Sequence, residues 1–287
     1  MTQESESPHD AEATEEGPPV PAEVSVDRAL TYGHYLKVEE LLSLQQPRSH
    51  GPEHDELLFI VIHQVYELWF RQVLHEIDYL KGLLESGDTH RAQHTLKRIL
   101  TILKVLVSQL DILETMTPLE FLSFRDRLDA ASGFQSDQFR QLEFVLAHKR
   151  KAMMRGFPRG ERGRQALERR FVEPTLWDSF LHFLARKGHA VPASHLGRDV
   201  TRPIEPSEEL QSLLVGVYRN DPEASAVCEL LVDLDEGMQE WRYRHVKMVE
   251  RTIGHRKGTG GSEGAEYLRT TLGAALFPDL WAIRNRF

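Results

Sequence analysis

HDELLFIVIHQVYELWFRQVLHEIDYLKGLLE runs from His54 to Glu85 without a proline, inside a longer proline-free stretch from Glu53 to Thr117. Its large side chains (Leu57, Phe59, Ile62, Tyr66, Trp69, Phe70, Val73, Ile77, Leu80, Leu84) fall on nearly every face of an α-helix. A helix that is apolar all round is a core helix, so the stretch predicts a long, deeply buried one. The chain on either side reads the same way. Thr89–Glu114 carries Leu96, Ile99, Leu100, Leu103, Leu106, Leu110 and Leu113 on one side, the period of an amphipathic helix.

Start signals continue the pattern. TPLE, Thr117–Glu120, is a capping box with proline at the first helical position, which predicts a new short helix. Ser132–Lys149, Pro174–Arg186 and Pro206–Tyr218 are further helix candidates. Asp221 followed by Pro222 opens a last long helix that runs to about Gly254. Strand alternation is nearly absent and no internal repeat is found. The fold class is therefore all-α, a bundle of long helices. Arg150–Arg170, rich in Arg and Gly, reads as a solvated basic connection.

The 287 residues leave room for a substantial core. The formal net charge of −9 is uneven: Met1–Val24 holds seven acidic side chains and no Lys or Arg. Residues 1–26, acidic and proline-bearing, read as a disordered tail, and 27–287 as a single domain. The remainder is near charge balance, so no basic field points to nucleic acid or an anionic membrane surface. No apolar run is read as approaching the roughly 18–20 residues of a membrane span, and the N-terminus has no secretory pattern. One cysteine, Cys228, excludes an intrachain disulfide and fits a cytoplasmic protein.

Within the last long helix, Leu234, Met238, Trp241, His245 and Met248 step by four, three, four and three, one helical face. A histidine on such a stripe is either a hydrogen-bonded core residue or an axial ligand to a metal or haem iron, for which a dry slot is required. Arg242 and Arg244 beside it offer cations for propionates. His63 is the second histidine on an apolar helix, in line with Phe59 and Phe70. His90 and His94 have metal-ligand spacing but polar neighbours, and read as surface. Arg125 shares a face with Phe121 and Leu128. Its planar fork suits a carboxylate, from the protein or from a ligand. KGTGGSEG, Lys257–Gly264, lacks the Gly-Lys-Ser/Thr and preceding strand of a phosphate loop. It reads as a helix-terminating turn or a mobile lid.

Several strings resemble the tryptophan 2,3-dioxygenase family: LTYGHYLKVEELLSLQ (Leu30–Gln45), FIVIHQVYELWF (Phe59–Phe70), FRDRLDAASGFQS (Phe124–Ser136), WRYRHVKMVERTIG (Trp241–Gly254), GTGGSEGAEYL (Gly258–Leu268) and FPDLWAIR (Phe277–Arg284). They occur in family order from about Leu30 to the C-terminus. The resemblance implies an all-α haem b protein, usually a homotetramer, that inserts both atoms of O₂ across C2–C3 of the L-tryptophan indole to give N-formylkynurenine. It implies His245 as the proximal iron ligand and His63 on the distal side near the indole N–H. It implies Arg125 on the substrate carboxylate and Thr259 on the amino-acid end. Phe59, Phe121 and Leu128 would wall the indole pocket, with Ser132 and Gly133 lining it. Tyr32 and Tyr35 would enter a neighbouring subunit's site. Two departures stand out: Asp129-Ala130-Ala131 where the family usually has Gly-Pro-Ser, and Glu263 where many members have Ser. From residues alone, a haem oxygenase with another aromatic substrate and a non-catalytic haem-binding bundle also remain open.

Overall fold

The computed structural model describes residues 30–254, 256 and 265–287. The acidic tail and Thr259 lie outside the described residues. All regular structure among the described residues is helical, as the sequence predicts. The chain divides into two units at residue 44, of which the described residues are 30–44 in the first and those from 45 onward in the second. The first contains helices α1 (Tyr32–Leu36) and α2 (Val38–Leu42), separated by Lys37 in a left-handed conformation. Thr31 caps α1 by accepting from the His34 N–H, and neither helix buries a residue.

The second unit is a bundle around α3 (His54–Ser86), α4 (Thr89–Leu113) and α11 (Pro222–Ile253). Between them come α5 (Pro118–Arg125), α6 (Asp137–Val145), α7 (Arg162–Val172), α8 (Leu176–Arg186), α9 (Ala193–Leu196) and α10 (Glu208–Asn220), and α12 (Ala265–Arg269) and α13 (Pro278–Ala282) follow. The α3 helix packs on α4, α8 and α6, and α4 packs on α11. Ile77, Leu80 and Leu84 of α3 meet Leu96, Ile99 and Leu106 of α4, Phe180 and Phe183 of α8, and Leu231 of α11 in one continuous core. Each such side chain contributes about 1.5–3 kcal/mol by leaving water. Gly237 permits the close α4–α11 approach: a Cβ there would lie 2.7 Å from Leu103 Cδ2.

The local signals work as read. Thr117 and Glu120 form the capping box of α5, and Asp221 caps α11 with Pro222 at its start. Four expectations are corrected. The α3 helix is not buried all round: Leu57, Val61 and Leu68 are exposed along one side, because α4, α6 and α8 cover only the others. By length and composition α3 is also apolar enough to cross a membrane, contrary to the run-length reading; in the bundle its other side forms the core. Ser132–Lys149 is not one helix. Ser132 caps a short 3-10 turn, Gly133–Gln135, and Ser136 caps α6 afresh. Finally, Arg150–Arg170 is not simply a solvated connection. Met154, Phe157 and Leu167 bury themselves with Phe144 in a second small core, which folds α7 against α6.

Candidate active site

One deep cavity is enclosed by α3, α5, α6 and α11. Its apolar wall is aromatic. Phe59 lies 5.7 Å from Phe121 and 5.5 Å from Phe124, ring centre to ring centre, and Phe121 meets Phe124 edge-on at 5.5 Å. Phe70, Phe134 and Phe139 continue the lining.

Two imidazoles face this space. His63 packs against Phe59 at 4.1 Å, and its Nδ1 lies 2.7 Å from the Phe59 carbonyl oxygen. A carbonyl only accepts, so Nδ1 carries the proton and Nε2 is left as an acceptor. Burial lowers the His63 pKa, with the Phe59 bond and the Glu67 charge opposing it. The ring is thus neutral at pH 7. His245, on α11, lines the same cavity. Burial, then the charges of His63 and Arg140, push its pKa down to about 4. A neutral imidazole has the lone pair that a metal requires. Trp241, one turn earlier, stacks on it with centroids 5.1 Å apart and planes 6° from parallel.

The cavity also has a cationic end. Glu143, buried, accepts from Arg140 Nη1 at 2.7 Å and Arg150 Nη2 at 2.9 Å. Arg242 is only 4% exposed, yet its nearest carboxylate oxygen, on Glu143, is 3.9 Å away. Its other bonds, to the Ala274 carbonyl and His148 Nδ1, are both 3.5 Å. Trp241 Nε1 is buried without an acceptor in hydrogen-bonding geometry. Buried donors of this kind are costly unless something completes them, and a group bearing carboxylates would do so.

Of the residues singled out from sequence, Phe59, His63, Phe121, Arg125, Ser132, Gly133 and His245 all line this one cavity. Arg125 is the last residue of α5, aimed there by the capped start of that short helix. Leu128 does not line it; it is half-buried and packs on the main core instead, since the helix ends at Arg125 and the chain turns away. Tyr32 and Tyr35 belong to the first unit and are 77% and 70% exposed. His90 and His94 are on the surface, as read. Sequence reasoning missed Tyr66, Glu67, Phe139, Arg140, Glu143 and Arg150 as lining residues. Arg140 and Glu143 were detectable as an i,i+3 pair, but such pairs usually lie on a surface.

A family model described as tryptophan 2,3-dioxygenase matches residues 21–160 and 178–287; the whole of α7 falls between the two matched segments. The chain is 61% identical over 262 residues to the tryptophan 2,3-dioxygenase of Herpetosiphon aurantiacus, covering 90% of this chain and 99% of that one. It is 58% identical over 258 residues to the protein of the same name from Anaeromyxobacter sp., covering 90% and 96%. A third, from Myxococcus xanthus, is 42% identical over 258 residues, covering 89% of each chain. Matched by the family model on both sides of α7 and by relatives of this identity along nine-tenths of its length, the chain belongs to the tryptophan 2,3-dioxygenase family.

Proposed function

We propose that the chain carries out the reaction of its family: O₂ is inserted across the C2–C3 bond of the L-tryptophan indole to give N-formyl-L-kynurenine, with haem b held through His245. The carbon–carbon double bond is cleaved and each carbon gains one oxygen, so both oxygen atoms enter the product and no outside reductant is consumed. The observation that carries this reading is two imidazoles kept neutral by burial, His63 and His245, on one cavity that Arg125 also lines.

The residues present suit a haem. His245 offers a neutral nitrogen in an apolar setting. Arg140, Arg150 and Arg242 around Glu143, with the Trp241 N–H, offer donors for two propionates. Haem iron supplies the O₂ chemistry that no side chain has.

The protein's own part is binding and orientation. Nε2 of His63, an acceptor because Nδ1 is engaged by Phe59, receives the indole N–H and fixes the ring's rotation. Phe59 and Phe121, packed against each other at 5.7 Å, wall one side of the indole and exclude water. The Arg125 guanidinium clamps the carboxylate, with Thr259 at the amino-acid end. Indole is a far weaker acid than imidazolium, so full proton transfer to His63 is steeply uphill. His63 therefore orients the substrate with the N–H in place. The assembly is a homotetramer in which Tyr32 and Tyr35 of one chain complete a neighbour's site. The exposed phenols and the open Leu57, Val61, Leu68 side of α3 support this.

The test is a single-turnover experiment. L-tryptophan is added anaerobically to the ferrous protein, O₂ follows, and absorbance is read at the formylkynurenine band. Stoichiometric product is expected. Haem uptake without product would leave a haem-binding bundle only, and product from another indole amino acid in place of L-tryptophan would reassign the substrate.

A further inference from the structure

We infer that Trp241 is the positioning residue for the axial imidazole: its indole face sets the rotation of the His245 ring about the iron–nitrogen axis. The inference rests on the haem reading above and goes beyond it.

The His245 ring is joined to its backbone through a terminal torsion with a broad, shallow preference. Left to itself the imidazole would sample a range of planes. A metal-bound histidine is normally held by contacts outside the coordination shell. Here the two rings are 5.1 Å apart and within 6° of parallel, so rotating the imidazole breaks face contact with the indole.

A stack restrains its partner only if it is itself fixed, and Trp241 is held from three directions. Tyr66 and Phe70, both on α3, meet it edge-on at 6.3 Å, with interplanar angles of 65° and 83°. Phe139 of α6 lies 5.0 Å away. Tyr66 is tied down in turn by donating its hydroxyl to the Leu106 carbonyl of α4 at 2.6 Å. Edge-on and tilted contacts from two helices restrict the rotation of the 8% exposed indole. The plane of the axial ligand is thus transmitted from α3 and α6, the helices that carry His63 and Arg140, to α11.

The experiment uses the full-length haem-loaded protein. The iron–histidine stretching band of the ferrous form is measured by resonance Raman for the parent and for Trp241→Phe, Trp241→Leu and Phe139→Leu. Trp241→Phe keeps a flat ring and loses the indole N–H offered to a propionate; compared at equal haem content, its band should stay closer to the parent's than that of Trp241→Leu. Trp241→Leu fills space without a face; its band should shift or broaden at equal haem content. Phe139→Leu leaves the indole but loosens it, and should broaden the band less. If Trp241→Leu takes up no haem, Phe139→Leu decides. A core-filling role alone would lower the melting temperature in the Leu variants and leave the band unmoved, and that result overturns the inference. Should the parent band persist in His245→Ala, His245 is not the iron ligand and the reading on which the inference rests fails, so the two failures are told apart.

Discussion

Nδ1 of His63 donates to the Phe59 carbonyl four residues earlier at 2.7 Å. This bond within one helix turn decides what the distal histidine can do. It fixes the tautomer, turns Nε2 into the cavity as an acceptor, and leaves a neutral ring whose pKa burial has lowered.

His63→Ala therefore loses an orienting hydrogen bond and keeps the rest of the site. Transition-state stabilisation should fall by on the order of 1–3 kcal/mol, leaving measurable turnover. 1-Methyltryptophan should be a better substrate for the variant than for the parent, because the methyl gains room. Steady-state rates with both compounds check this. A haem-replete, tryptophan-binding variant with no turnover at all would favour an obligatory base.

Arg125→Lys retains the charge and loses the bidentate fork. A loss on the order of 2–5 kcal/mol in kcat/KM is expected with L-tryptophan. Tryptamine, which lacks the carboxylate, should be a poor substrate for the parent and nearly indifferent to the change. Equal damage with the two compounds would place Arg125 in a structural role.

Asp129 stands where the family usually has glycine, and its φ is +48°. The turn between Leu128 and Ser132 thus requires a left-handed residue, and aspartate is among the few side chains that tolerate one. Asp129→Gly should change stability by only a few tenths of a kcal/mol, strain relief being offset by the freer unfolded chain. Asp129→Val should cost about 1–2 kcal/mol. Thermal unfolding of the pair settles the point; identical melting of both would remove the conformational argument.

Acid should weaken the fold through His148. Burial, and then the Arg242 charge, bring its pKa down to about 4 against the ordinary 6.5, with Glu143 opposing and Arg150 and Arg140 adding. Between those values the unfolded chain binds a proton that the native protein refuses, so stability falls as pH drops from about 6.5 towards 4. Melting curves across that range should show the decline, and His148→Gln should flatten part of it. An unchanged slope in the variant would mean that His148 is not one of the groups responsible.

What the sequence made legible follows a physical division. Helix stripes and caps are local, so α3, α4, α5 and α11 could be read directly, and with them the faces bearing His63, Arg125 and His245. The family resemblance implies Leu128 as a pocket wall and the helical spacing puts it on one face with Arg125, but α5 ends at Arg125 and Leu128 packs on the main core instead. Of the Arg140, Glu143, Arg150 and Arg242 cluster only Arg242 was legible, from its place beside His245. Its members come from α6, the segment after it and α11, and only the fold joins them. Likewise α7 reads as polar in sequence, since its single fully buried residue, Leu167, finds its partners outside the helix.

His245, on the proposed function, is the protein's bond to haem iron. His245→Ala leaves Trp241 and the cavity lining in place and removes only the imidazole. Haem content after purification should fall sharply, and free imidazole added to the variant should restore a parent-like ferrous spectrum. Stoichiometric haem with an unchanged ferrous spectrum and no response to imidazole would remove His245 from the ligand role.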